Sequence, residues 1–228
     1  MRPIYSPGVP FEASHTEVEA RLLSAALRPE TRALDAGCGR RTRLAGYRDR
    51  IVELIGVDID ADAGAENRAL DRFVVADLCK RLPFEDAYFD LVYANFVIEH
   101  LDEPQNAFRE WRRVSRQGGA LILLTSNRAN PKLAAASVLP QRFRIFLKRT
   151  GAGVVERDVI PTRYAANTPA RLGRLMAEGG YAPVEVTYVA GLHRYAQRKP
   201  SLARLIRALE RILPPRLRPT IVGLYRAA

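Results

Sequence analysis

With 228 residues, 47% of them hydrophobic, the chain is long enough to bury one sizeable core, and a single domain spanning residues 1–228 is the expected count. No apolar run approaches the roughly 18 residues of a membrane span, residues 1–8 do not read as a signal peptide, and two cysteines are too few for a disulfide framework or a protein zinc site. An integral helical membrane protein and a disulfide scaffold are therefore excluded, and a cytoplasmic location is expected.

Charge is unevenly placed along the chain. Residues 1–127 hold 17 Lys+Arg and 20 Asp+Glu, a net of −3, whereas residues 128–228 hold 19 and 5, a net of +14. The two parts must face different partners or environments. Of the 36 basic residues 32 are arginine, which suits bidentate recognition of phosphate and carboxylate, although a GC-rich genome would give the same bias.

Residues 1–30 read as an N-terminal arm and helix. Ser14-His15-Thr16-Glu17 is a capping box, Val18, Leu22 and Ala25 or Ala26 recur behind it at helical spacing, and Arg28-Pro29 stops the helix. His15, in the first turn, reads as solvent-exposed. Tyr5 either closes over a ligand or belongs to a tail.

Residues 33–39, Ala-Leu-Asp-Ala-Gly-Cys-Gly, read as a short buried strand ending in a turn where Gly37 and Gly39 leave no side chain between backbone and ligand. A dinucleotide fingerprint would want a third glycine near Thr42, and none is there. Asp35 would gain nothing beside a pyrophosphate, but it would favour a ligand with a cationic end. Arg40–Arg50 is too short for a full crossover helix. The apolar run Ile51–Ile55 then leads to Asp58, an acid at the end of a second strand, where a carboxylate accepts both hydroxyls of a ribose. After a second brief crossover, Ala61–Leu70, Phe73–Asp77 ends a third strand in another acid, and Asp90–Leu101 reads as a fourth strand with the turn after it.

Pro104 suits the first turn of a helix capped by Asp102 or Glu103, with Ala107, Phe108, Trp111 and Val114 on one face and Trp111 in the core. Gly118-Gly119 is expected to end that helix, and Ala120–Thr125 is a continuous apolar run suited to a central strand. Residues 127–166 exceed what a bare connection needs and read as an inserted helical cap, with Arg142, Arg144, Lys148 and Arg149 around Phe143 and Phe146. A helix capped by Thr168 and Pro169 follows, burying Leu172, Leu175 and Met176 and ending at Gly179-Gly180. Val184–Val189 and Thr220–Tyr225 are the last two strands. Between them residues 190–219 form a basic amphipathic segment, in which Leu202, Leu205, Ile206 and Leu209 share a face among Arg204, Arg207 and Arg211. Such a helix packs on its own domain, the commoner case, or lies on an anionic membrane.

Asp35-Ala-Gly-Cys-Gly39 resembles motif I of the class I, Rossmann-like S-adenosylmethionine-dependent methyltransferases, and Asp58, Asp77 and the fourth-strand passage follow in that family's order. Pro83-Phe84 with Asp86 and Phe89-Asp90 resembles the type 11 methyltransferases, which include the ubiquinone and menaquinone biosynthesis enzymes. The resemblance implies an α/β fold with a doubly wound, mostly parallel seven-stranded sheet, S-adenosyl-L-methionine as cofactor and S-adenosyl-L-homocysteine as product. It implies cofactor contacts from Asp35, Gly37, Cys38 and Gly39, from Asp58 and Ile59, from Asp77 and Leu78, and from Asn95. His100 is the candidate base by location and accessible pKa, and Arg163, Tyr164 and Asn167 are candidates for acceptor contact. No resident metal is implied.

The passage from Thr162 to Gly180 is similar to a subgroup associated with glycan and cell-envelope assembly. A small-molecule acceptor, anionic and glycan- or lipid-linked, with peripheral contact to the inner face of a membrane, is the reading this supports. Nucleic acid is disfavoured. Ala94-Asn95-Phe96-Val97 is not the Asn/Asp-Pro-Pro-Tyr/Phe signature of base and side-chain-amide methylation, and Cys79 lacks the preceding proline of cytosine-C5 enzymes. A nicotinamide oxidoreductase would leave Asp35 and Asp77 unexplained. The alternative is a catalytically silent fold acting as an assembly partner, which the reduced first crossover would suit.

Overall fold

Two apolar strands, β1 (Thr31–Ala36) and β4 (Phe89–Asn95), lie parallel at the middle of a seven-stranded sheet, where both faces of each are covered. The structure, a computed structural model, describes residues 10–137, 162–191 and 200–228. Tyr5, His193 and the cationic and aromatic residues expected in the cap between Arg142 and Arg149 fall outside the described residues. The remaining strands are β2 (Ile51–Asp58), β3 (Arg72–Val75), β5 (Ser115–Ser126), β6 (Tyr181–Val189) and β7 (Thr220–Ala227). Their order is β3-β2-β1-β4-β5-β7-β6, all parallel from β3 to β5, with β7 antiparallel between β5 and β6. The expected doubly wound, mostly parallel seven-stranded sheet is the fold the chain adopts.

Alternation along the central strands sends residues to two separate apolar layers. Leu34, Val92, Ala94, Leu121 and Leu123 face a layer built with α3 (Pro104–Val114) and α5 (Pro169–Glu178). Ala33, Leu91, Tyr93, Ile122 and Leu124 face α1 (His15–Ala26), whose Val18, Leu22 and Leu23 are buried against them. Helix α1 begins as expected: the Ser14 hydroxyl accepts from the Glu17 amide at 3.1 Å, and the Glu17 carboxylate accepts from the Ser14 amide at 2.6 Å. The short crossovers are also as expected. A single 3-10 turn, Arg43–Tyr47, replaces the first helix, and α2 (Ala61–Glu66) is the second. Beyond β5 lie α4 (Pro131–Ser137) and, before β7, α6 (Pro200–Ile212).

The expected boundary at Gly118-Gly119 is corrected. Helix α3 stops at Val114, and β5 starts at Ser115 and carries both glycines within it. Gly118 has φ 71° and the β4–β5 register shifts between Phe89 and Leu91, so the pair makes a bulge and not a helix cap. The cap of α3 at its other end is also different in kind: Glu103 occupies the position but makes no capping bond with its side chain.

Reversal of β7 gathers loops on one edge. Thr220 at its start pairs with Ser126 at the end of β5 and with Val189 at the end of β6. The carboxyl ends of β1 to β6 and the residues leading into β7 therefore share the edge at which ligands bind in open α/β sheets.

Trp111 is fully buried, packs on Phe108 at 5.5 Å between ring centroids, and leaves its indole N–H without a hydrogen bond among the described residues. Its contribution is therefore volume alone. Trp111→Phe should keep stability within about 1.5 kcal/mol, whereas Trp111→Ala should lose about 3–5 kcal/mol, read from urea unfolding followed by far-UV circular dichroism.

Candidate cofactor and acceptor site

At the carboxyl edge Gly37 and Gly39 carry the chain out of β1 at φ 78° and 51°, a region that favours glycine. A Cβ on Gly37 would sit 2.4 Å from the Val97 side chain, whereas one on Gly39 would meet nothing within 4 Å. Gly37 thus lets the turn pack tightly below, and Gly39 leaves it open above. The turn is clamped on both sides: the Gly39 amide donates to the Asp58 carboxylate at 2.9 Å, and the Asn67 side-chain amide donates to the Gly39 carbonyl at 3.1 Å. Cys38 is buried between them, and burial beside Asp35 and Asp58 pushes its thiol pKa up, so it serves as packing and not as a nucleophile.

Asp35 is 2% exposed. Burial raises its pKa from 3.8 to about 7, the Thr42 hydroxyl opposes that rise by hydrogen bonding, and Asp58 and Glu19 add to it. Asp58 also accepts from the Asp60 amide at 3.0 Å through its second oxygen, and beside it Ile59 is 72% exposed. Asp77 lies two residues beyond β3, fixed by the Cys79 amide at 2.8 Å, with Leu78 buried next to it. At the end of β4 the Asn95 side-chain oxygen is buried with no hydrogen-bond partner among the described residues. Asp35, Gly37, Cys38, Gly39, Asp58, Ile59, Asp77, Leu78 and Asn95 thus share one edge across β3, β2, β1 and β4.

A buried group beneath this edge escaped sequence reasoning. Glu19 of α1 is buried, accepts a hydrogen bond from the Tyr93 hydroxyl, and lies 3.5 Å from the Arg43 guanidinium. Burial raises its pKa and, together with Glu19, that of Tyr93. Its signal was present: a glutamate beside Val18 and one turn before Leu22 and Leu23, on the face of α1 that packs inward.

The other flank is tied by Glu99, which is 4% exposed in the 3-10 turn Ile98–His100. Its carboxylate accepts from the Thr125 and Ser126 hydroxyls at 2.8 and 2.9 Å. Its carbonyl accepts from the Arg163 and Tyr164 amides at 2.7 and 3.1 Å. Asn167 is buried and donates to the Thr125 hydroxyl at 2.6 Å and the Ser126 carbonyl at 3.1 Å. His100 is half-buried at the end of this pinned turn. Arg163 is exposed and pairs with Asp102 at 2.6 Å, and Tyr164 takes φ 54°. His100, Arg163, Tyr164 and Asn167 are therefore neighbours through Glu99. His15 is not fully exposed as expected: it is half-buried, edge-on to Phe96 at 5.8 Å, and Phe96 itself holds φ 51° just past β4.

Residues 34–123 match the family model described as a methyltransferase domain. Over that span the chain is similar to the methyltransferase domain family. It is 33% identical over 129 residues to a malonyl-[acyl-carrier protein] O-methyltransferase of Enterobacter lignolyticus, covering 53% of this chain and 51% of that one. It is 27% identical over 189 residues to the ubiquinone/menaquinone biosynthesis C-methyltransferase UbiE of Vibrio campbellii, covering 73% and 72%. Among solved structures, geranyl diphosphate C-methyltransferase from Streptomyces coelicolor superposes with a TM-score of 0.64 at 17% identity, covering 92% of this chain and 78% of that one. The chain spans about half the length of the first malonyl-[acyl-carrier protein] O-methyltransferase. At this edge the open side of Gly39, the exposed Ile59 and the Asn95 oxygen leave room and polar capacity for a ligand.

Because folding favours the protonated form of Asp35, the ligand-free protein should lose stability as pH rises from 3.8 through about 7. Asp35→Asn should flatten that dependence and stabilise the ligand-free protein at alkaline pH by about 2 kcal/mol, read from thermal melts across the range.

Proposed function

We propose that this chain transfers the methyl group of S-adenosylmethionine to a small-molecule acceptor that bears negative charge and is carried on a lipid or glycan. The observation that supports it most is the set of carboxylates at adjacent strand ends, Asp35, Asp58 and Asp77, around the open Gly37–Gly39 turn. Asp58 receives the ribose hydroxyls, Asp77 the adenine amino group, and Ile59 and Leu78 flank the purine. Asp35 sets a negative field beneath the cationic amino-acid end, and the Asn95 oxygen accepts from the same end.

When bound, the cofactor supplies a methyl group on a positively charged sulfur, already activated for displacement. What the protein adds is alignment and, where the acceptor must lose a proton, a base. His100 takes that proton. Its place is set by Glu99, whose two hydroxyl donors fix the turn on β5. Arg163 and Tyr164 meet the acceptor, and Asn167, with both amide hydrogens engaged inside the wall, positions them. The net +14 of residues 128–228 favours an anionic acceptor. The acceptors named for two similar proteins, malonyl-[acyl-carrier protein] and geranyl diphosphate, both carry negative charge.

Calorimetric titration of the purified protein should give micromolar binding of S-adenosylmethionine and S-adenosylhomocysteine and none of NAD. Asp58→Ala should abolish it and Asp77→Asn weaken it by about tenfold. Failure of the intact protein to bind either sulfur ligand would leave the silent-fold reading standing. With an acceptor in hand, His100→Gln should lower kcat by about 10²–10⁴ with cofactor affinity unchanged. Arg163→Glu should raise KM for an anionic acceptor by about tenfold and leave KM for the cofactor alone.

A further inference from the structure

Helix α6 is mounted with its apolar stripe outward. Glu210 is 2% exposed and accepts from the Gly191 amide at 2.8 Å, so the helix turns its only carboxylate toward the sheet. Leu202, Leu205, Leu209 and Ile212 are 43%, 58%, 50% and 78% exposed. At 3.6 residues per turn these four form one continuous flank of the solvent-facing half, and Arg204, Arg207 and Arg211 form the other. At one end the N-terminal arm braces it: Glu12 pairs with Arg207 and Arg211, and Phe11 lies under the Arg211 and Arg218 guanidiniums at 5.4 and 5.3 Å. The 214–219 turn after it is held by Asn127 and Asn130, whose side-chain amides donate to the carbonyls of Arg216, Arg218 and Leu217.

We infer that α6 is an interfacial helix that seats this edge of the protein on an anionic lipid surface. Four exposed large apolar residues on one helix carry a hydration cost that a lipid headgroup boundary relieves, and the exposed Arg204 on the other flank, which lies outside the Glu12 pairing of Arg207 and Arg211, reaches lipid phosphates. At 13 residues the helix is about 20 Å long, and no helix among the described residues is long and apolar enough to cross a membrane, so it lies in the interface. Charge selects this occupant over others. Residues 200–219 hold five Arg and one Glu, a net of +4, so a second copy meeting this face would bring like charge against like. The chain's own remaining segments are no better matched: residues 1–9, 138–161 and 192–199 carry net charges of +1, +3 and +3. Anionic lipid is the complementary surface.

The position adds a consequence. Helix α6 leads into the start of β7 and rests on the residue pair after β6, on the same edge as His100 and Arg163. Seated in this way, the edge that receives the acceptor faces the lipid, so the acceptor is drawn from the membrane side. The docking itself stands on α6 and does not depend on methyl transfer.

The test is vesicle flotation of the full chain, with Arg204→Glu and the double variant Leu205→Gln/Leu209→Gln alongside. All have exposed side chains at the altered positions, and thermal melts and cofactor titration confirm that each is folded. Expected is binding to phosphatidylcholine vesicles containing about 30 mol% phosphatidylglycerol, weak binding to phosphatidylcholine alone, and loss of anionic binding by roughly tenfold in either variant and at high salt. Absence of binding to anionic vesicles overturns the inference, as does binding that neither variant changes. A dimer in sedimentation velocity that the double leucine variant dissolves assigns the face to a second copy and overturns it too. Cofactor binding without vesicle binding would sink the docking alone, whereas vesicle binding without cofactor binding would sink the methyl-transfer reading alone.

Discussion

The carboxylate of Asp35 is buried at the end of a central strand, where burial disfavours its charge. A charge in that position is costly, and the surroundings raise the cost, since Glu19 and Asp58 add to it. Only the Thr42 hydroxyl favours the ionised form. A protein gains nothing in stability from such an arrangement. Under the proposed function its field would serve a cation that arrives from outside, at an edge where the glycine turn lets a ligand approach the backbone. The clamping of that turn by Asp58 and Asn67 is then the complement of the buried charge: the backbone is held still so that the field is applied at one place.

The opposite flank is built by different chemistry. Glu99 is as buried as Asp35 but carries two hydroxyl donors on its carboxylate and two amides on its carbonyl. It is a structural acid, and its satisfied bonds tie the turn after β4, the end of β5 and the 163–167 passage into one wall. Two buried carboxylates on one edge thus have separate roles, told apart by their partners.

Most of the fold was legible because its signals are local. Short apolar stretches lead to Asp35 in β1 and Asp58 in β2, and the capping residues Ser14 and Thr168 and the buried faces of α3 and α5 follow from spacing alone. Gly118-Gly119 was misread because two glycines after an amphipathic helix look the same whether they cap it or bulge the next strand, and pairing with β4 decides it. The gathering of Asp35, Asp58 and Asp77 on one edge was legible for the same reason as the strands: each acid lies at or near a strand end. Glu19, Asn67 and the contact of His15 with Phe96 were not, because their partners lie 74, 28 and 81 positions away and only tertiary packing brings them together. The outward face of α6 was half legible. Its amphipathic pattern is plain in sequence, but which side would be buried was settled by Glu210 reaching the Gly191 amide.

The division of charge along the chain becomes a division across the sheet edge. The β3-β2-β1 end presents Asp77, Asp58, Asp60 and Asp62 around a buried Asp35, whereas the β5-β7-β6 end presents Arg163, Arg216, Arg218 and the arginines of α6. Under the proposed function, a cationic donor would be favoured at the first end and an anionic acceptor at the second, with β4 and its Asn95 between them. Methyl transfer from a sulfonium would remove the donor's positive charge, so an acidic end that favours the donor would hold the neutral product less strongly. The field that would assemble the reactants would therefore also favour exchange of product for fresh donor, without any moving part.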